Sequence, residues 1–194
     1  MGKRRTVFLL GALCLVAASA APALAQSRQY VQGQVVGIGG RRAGLNRPFS
    51  LTINNYSSAD DVQRLNAALR SGGQDELMRV LSKLDAGRVS IGNNVGVTAN
   101  AVIATPTAEG GTKLTVLYER NVAIFELRYG TRSADYRFGY AEIYLDARGR
   151  GQGTFIPAAK VKLEGDNNWV VEDFGEFPAR LIGLRATGRV GGVR

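Results

Sequence analysis

Histidine is missing altogether from the 194 residues, and the single cysteine is Cys14. Beyond that position a Cys nucleophile, a histidine general base, a Ser-His-Asp triad and a zinc site built on His or Cys are excluded. No disulfide can staple the chain, so its stability has to come from packing. A hard-cation site of carboxylates and carbonyls stays open, as does acid–base work by Asp, Glu, Lys or Tyr. The S-x-x-K spacing of a histidine-free serine nucleophile does not occur after residue 25. Ser82 and Lys83 adjoin on a predicted helix, where neighbours point to different faces.

Long apolar runs are equally scarce. The one that stands out is Val7–Ala18, preceded by Lys3, Arg4 and Arg5 and followed by Ala23-Leu24-Ala25. A basic start, a short apolar run and an A-x-A site together describe a secretory signal, read by the peptidase at Ala23 and Ala25 and cut after residue 25. The run falls short of the roughly 20 residues of a spanning helix, so no stable membrane span is expected after cleavage. Cys14 lies inside the apolar run behind the bulky Leu13, which argues against a lipid anchor. The expected location is periplasmic or secreted.

Acidic side chains are the minority, with 16 Asp and Glu against 25 Lys and Arg and a formal net charge of +9. The excess is scattered, with Arg41-Arg42, Arg148/Arg150, Lys160/Lys162 and Arg185/Arg189/Arg194 never forming a long block. Such scatter reads as a solvated surface, with anionic envelope surfaces or polymers as conceivable partners. Nucleic acid is not expected, since no recognition motif is present.

What is there reads as one domain. A short polar leader covers residues 26–33, a single β-rich domain 34–188, and a glycine- and arginine-rich tail 189–194. Strand character begins at Tyr30 and runs to Ile38. Phe49, Leu51 and Ile53 alternate with Ser50, Thr52 and Asn54, the period of a half-buried strand. A helical hairpin over about 59–71 and 74–85 follows. Ser58 stands at capping distance from Asp61, the apolar positions Val62, Leu65 and Leu69 share a face, and Gly72-Gly73 supplies a stop. Leu77, Val80, Leu81 and Leu84 make the stripe of the second helix. From Val89 onward Val95–Thr105, Thr112–Glu119, Val122–Arg128, Tyr140–Leu145, Gly153–Leu163, Trp169–Phe174 and Ala179–Ala186 read as strands between turn signals. The expectation is α+β, mainly antiparallel β, a sandwich or partly open barrel with the hairpin covering one end or face. An outer-membrane barrel is disfavoured, because several strands are short and the helices have no place in it.

Three glycine clusters, Gly37–Gly44, Gly149–Gly153 and Gly188–Gly192, open no predicted helix and lack the lysine and Ser/Thr of a phosphate loop. Glu172-Asp173-Phe174-Gly175 has the letters of a kinase magnesium motif with nothing else of that set. Carboxylates there are expected to be exposed, and neither a metal nor a cofactor is expected. The densest polar-aromatic stretch is Arg128–Tyr140. Arginine and tyrosine give large contact area with directed hydrogen bonds, so Arg128, Arg132, Asp135, Tyr136, Arg137 and Tyr140 are the candidate ligand or partner surface. The plainer reading is a loop pinned by its own Arg–Asp pairs. No catalytic residue can be named.

Several stretches carry a resemblance. Arg47-Pro48-Phe49 through Asn54, Arg64-Leu65-Asn66 with Ala68–Asp75, Thr131–Gly139, and Val171–Gly175 with Pro178-Ala179-Arg180-Leu181 resemble a family of exported bacterial proteins without an assigned function. The resemblance spans Gly33 to Leu184 and implies a stand-alone exported domain, with no catalytic residues to carry over. The leading expectation is a non-enzymatic envelope protein that binds a small apolar ligand, a lipid or another envelope component, its oligomeric state open. The rivals are an enzyme acting on an envelope polymer through carboxylates or tyrosines, and an accessory subunit of an envelope complex.

Overall fold

A computed structural model of the chain describes residues 28–37, 44, 46–120, 135–165, 168–173, 179–188 and 190. The segment expected to be a signal, with Ala23 and Ala25, the strand expected at Val122–Arg128, and nearly all of the tail lie outside these residues. Ten strands are described: β1 (Gln29–Gly37), β2 (Asn46–Ile53), β3 (Gly87–Ile91), β4 (Val97–Ala99), β5 (Ala101–Pro106), β6 (Thr112–Glu119), β7 (Phe138–Leu145), β8 (Arg150–Glu164), β9 (Asn168–Asp173) and β10 (Ala179–Thr187). One helical element, α1 (Ala59–Leu81), separates β2 from β3. The fold is α+β and mainly antiparallel, as the alternating patterns predict.

The strands run β4-β3-β2-β1-β10-β8-β7-β6-β5, every pairing antiparallel, with β9 added to β8. The two ends of this path, β4 and β5, are consecutive in sequence and separated by Asn100 alone. They are two halves of one bent strand, so the sheet curls round and its edges meet at that corner. Asn100 is buried; its Nδ2 donates to the Leu84 carbonyl at 3.0 Å and its Oδ1 accepts from the Glu119 amide at 2.9 Å. A polar side chain therefore ties the corner to the strand beside it and to the end of the helical region. The single strand expected over Val95–Thr105 is divided for this reason.

Counting the bent strand once leaves about eight positions round the ring, a size at which side chains alone fill the interior. They do so here. Val31, Leu51, Ile53, Leu114, Val116, Ile143, Leu181 and Leu184 are almost wholly buried in one cluster. An aromatic row crosses it: Phe49 meets Phe155 edge-on at 6.4 Å, and Tyr118 stacks on Phe155 at 6.5 Å. Tyr118 lies over Gly139, its cross-strand partner, where an added Cβ would come within 1.9 Å of the ring.

The helical element behaves as two segments meeting at a break. Ser58 accepts from the Asp61 amide at 3.1 Å while Asp61 accepts from the Ser58 amide at 2.9 Å, a complete capping box. Gly73 adopts φ 60 and ψ −137, a conformation with positive φ that side-chain-bearing residues rarely take, and the helix breaks there. The expected separation at Gly72-Gly73 is thus present as a one-residue break. The second segment ends at Leu81 and not at 85, because Ala86 is already committed to the sheet. Its amide donates to Ala99 at 2.9 Å and its carbonyl accepts from Asn54 and Asn55. The polar leader also needs correction: β1 begins at Gln29 and pairs with β2 and β10, so residues 29–33 belong to the barrel.

A second apolar cluster joins α1 to the outside of the ring. Leu65, Leu69, Leu77 and Leu81 pack with Ala101, Leu117, Phe138, Tyr140, Ala159 and Val161. The far half of β8 and β9 extend under the helix, with Trp169 donating from Nε1 to the buried Asn66 at 2.6 Å. Past Ala159, the last residue of β8 that pairs with β7, the amide of Gln74 takes over. It accepts from the Val161 amide at 3.1 Å and donates to the Val161 carbonyl, satisfying an edge that no described strand covers.

Candidate functional site

Four of the six residues of the candidate surface expected from the sequence, Asp135, Tyr136, Arg137 and Tyr140, are described. Arg128 and Arg132 lie outside the described residues. Asp135 is exposed. Tyr136 donates to Glu172 at 2.7 Å, and Lys162 reaches the other oxygen of the same carboxylate at 2.9 Å. Arg137 pairs with Asp75 of α1 at 2.6 Å. Tyr136 and Arg137 therefore fasten the start of β7 to β9 and to the helix. Tyr140 is buried beside α1, and only its hydroxyl reaches outward, to Glu142 at 2.9 Å. Of the carboxylates near the kinase-like letters, Glu172 is thus already engaged. Among the described residues no cluster of three or more His, Cys, Asp or Glu side chains is placed to hold a metal ion.

A different surface is left uncovered. Where α1 ends, the outer wall of β6, β7, β8, β10 and β1 continues, and among the described residues no layer lies over it. Antiparallel register puts its outward residues in transverse rows. Lys113 faces Tyr144, and Tyr144 faces Gln152. Beyond the irregularity between β8 and β10 come Ile182 and Gln34. The next row is Thr115, Glu142, Thr154 and Arg180. A third joins Arg150, Arg185 and Gln32. A groove of about 780 Å³ opens at the edge of this wall, between the β5–β6 turn and the β7–β8 hairpin, with Tyr144, Gln152 and Arg150 on one side and Thr107 and Glu109 on the other.

Glu142 is the electrostatic centre of the wall. It accepts from Tyr144 at 2.6 Å and from Tyr140 at 2.9 Å, with Lys113 at 3.5 Å. Burial pushes its carboxyl up, but the two hydroxyls and the ammonium outweigh that and hold it below the usual glutamate range. The same contacts act in reverse on the phenols. Burial, then the neighbouring carboxylate, drives Tyr140 far above the ordinary tyrosine value. The hydrogen bond to Glu142, then burial, raises Tyr144 as well. Both hydroxyls donate to the Glu142 carboxylate, and their raised values favour the protonated form. At the hairpin Asp146 accepts from the amides of Arg148 and Arg150 at 2.8 and 2.9 Å, which holds its carboxyl low.

Tyr144 and Gln152 were not singled out from the sequence; Arg150 and Arg185 figured there only in the scattered basic excess, and Arg180 only in the resemblance. Their signal is the period-two series Tyr140/Glu142/Tyr144 and Arg150/Gln152/Thr154, which marks one face of each strand. Which strands lie side by side, and which part of their face a helix covers, is set by the order and register of the whole sheet. The wall's polarity is also the reverse of a lipid-embedded barrel, which turns apolar residues outward and polar ones inward. No described helix is long and apolar enough to cross a membrane. Comparison with protein-family models, with curated proteins and with solved structures returns no match for this chain.

Proposed function

We propose that this chain is an exported, non-enzymatic protein that binds a component of the cell envelope across the uncovered wall, and not a carrier of a small apolar ligand inside the barrel. One observation carries the reading: the ring is filled by its own side chains, while the wall beyond α1 exposes tyrosine, amide, hydroxyl and guanidinium groups. Export rests on the N-terminal signal pattern, and the resemblance to exported bacterial proteins agrees with it. The enzyme reading is weakened, because the tyrosines are held protonated and Glu142 is occupied by three donors. An accessory subunit would present a continuous apolar patch. Among the described residues the exposed large apolar side chains are Val95, Tyr144 and Ile182, with Val95 apart from the wall in the β3–β4 turn.

The test uses the protein lacking residues 1–25, purified from an envelope fraction without denaturation. Native mass spectrometry is expected to give the bare chain mass. The same protein is expected to sediment with isolated envelope material, and to do so less when Tyr144→Ala and Gln152→Ala are combined. A mass excess released by denaturing would return the reading to an internal carrier. Absence of sedimentation would remove envelope binding.

A further inference from the structure

Charge on the uncovered wall is unbalanced in a specific way. Arg150 and Arg185 stand directly opposite each other across β8 and β10. Like charges at such positions repel, and their Cβ atoms are only about 5 Å apart in a sheet. Asp146 offsets Arg150 weakly, at 3.8 Å from its Nε. Arg180 and Arg185 have no ion-pair or hydrogen-bond partner among the described residues. They lie about 15 Å apart along β10 at the rise of an extended strand, with Ile182 between them. Lys113 adds a fourth cation at the far side of the wall, shared with Glu142.

Between these cations stand one carboxylate, Glu142, already engaged by Tyr140, Tyr144 and Lys113, and the neutral hydrogen-bonding groups Gln32, Gln34, Gln152 and Thr154, with the Tyr144 ring 46% exposed at the mouth of the groove. An apolar or membrane-inserting partner would need more than the single Ile182. A hydrated, extended molecule with separated negative charges and many hydroxyls fits each feature. Guanidinium groups bind its anions, amides and Thr154 exchange hydrogen bonds with its hydroxyls, and an exposed phenol ring covers an apolar sugar face. We infer that the uncovered wall binds an anionic glycan lying across β7, β8, β10 and β1, its acidic groups at Arg180 and at the Arg150/Arg185 pair. This rests on the preceding reading of the wall as the binding surface and adds the chemistry of the partner.

Polygalacturonate serves as the carboxylated glycan probe, with neutral dextran, polyglutamate, phosphatidylglycerol vesicles and oligo(dT) as comparisons, all at one fixed salt concentration. The paired variant Arg180→Gln/Arg185→Gln is set against Arg79→Gln/Lys83→Gln, which removes the same charge from the helical side. The expected result is a loss of about tenfold in polygalacturonate affinity for the first pair and less than about twofold for the second, since only local contacts differ. Tyr144→Ala is expected to weaken polygalacturonate severalfold and leave polyglutamate unchanged. Equal losses for the two charge pairs would overturn the inference, leaving net charge as the cause. Tighter wall-dependent binding of vesicles or oligo(dT) would overturn it too, by assigning the wall to another partner class. If envelope sedimentation still depends on Arg180 and Arg185 while polygalacturonate does not, the glycan fails and the binding wall stands.

Discussion

Strand β7 turns four side chains outward, and they meet two different surroundings. Phe138 and Tyr140 lie under α1 in a sealed apolar layer with Leu117, Ala159 and Val161. Glu142 and Tyr144, two and four residues further on, face the uncovered wall. The backbone alternation is the same throughout, so the difference comes from the helix, which ends before it reaches the second pair. One strand thus serves stability at one end and surface chemistry at the other. Within a sheet, the residue type at outward positions reports what lies over them.

The sharpest way to break this comparison is to truncate one residue on each side of the boundary. Leu117→Ala removes a fully buried side chain from the covered layer and is expected to cost about 2–5 kcal/mol, the range for cavities that cannot collapse. Tyr144→Ala is expected to change stability by less than about 1 kcal/mol, close to ordinary surface substitutions. Urea titration of both variants at neutral pH checks this. Similar midpoints for the two would mean that α1 does not seal the layer.

The corner at Asn100 comes next in size. Asn100→Ala leaves the Leu84 carbonyl and the Glu119 amide without their partner. The expected loss is about 1–3 kcal/mol, with water entry recovering part of the cost of two orphaned groups. Amide hydrogen exchange at Glu119 should accelerate by more than the global loss of stability accounts for. Uniform acceleration across the barrel would show instead that the corner has no local role in closing the ring.

Much of the covered side was legible in the sequence, and much of the uncovered side was not. The alternation of Phe49, Leu51 and Ile53, the Ser58–Asp61 box and the break at Gly72-Gly73 are local signals, and each corresponds to an element. Leu84 falls on the apolar stripe of the second helix, yet the chain leaves the helix at Leu81, since Ala86 is claimed by Asn54, Asn55 and Ala99. That competition is between distant parts of the chain and has no local sign. Tyr136 and Arg137 drew attention through composition, but their partners Glu172 and Asp75 come from other elements. Arg150 and Arg185 become neighbours only through the β8–β10 register. The period of two marked the faces of these strands, and the sheet topology set which of them lie side by side.

The helix itself offers a smaller effect. Ser58→Ala removes the acceptor for the Asp61 amide, and the expected loss is about 1 kcal/mol. Ser58→Gly is expected to lose only a few tenths, because glycine still allows the extended cap geometry. Thermal unfolding of the two variants side by side distinguishes a capping effect from a general intolerance of that position.

The subtlest test concerns Glu142, on the boundary between the two regions. Its carboxyl is held below the ordinary glutamate value of 4.5 in the folded chain, since the Tyr144 and Tyr140 hydroxyls and Lys113 outweigh its burial. A depressed folded value means that ionised Glu142 stabilises the fold above the unfolded value and that this contribution fades as pH falls through the folded one. Tyr144→Phe removes one donor, so it is expected to narrow the gap between folded and unfolded values. The variant should therefore be slightly less stable than the parent at pH 7, and its deficit should be smaller at pH 3, closer to the range in which the carboxylate takes up its proton. Urea midpoints at those two pH values decide the matter. A deficit of the same size at both would trace the loss to packing of the ring, and the wall would then be held by contacts that do not depend on the charge at Glu142.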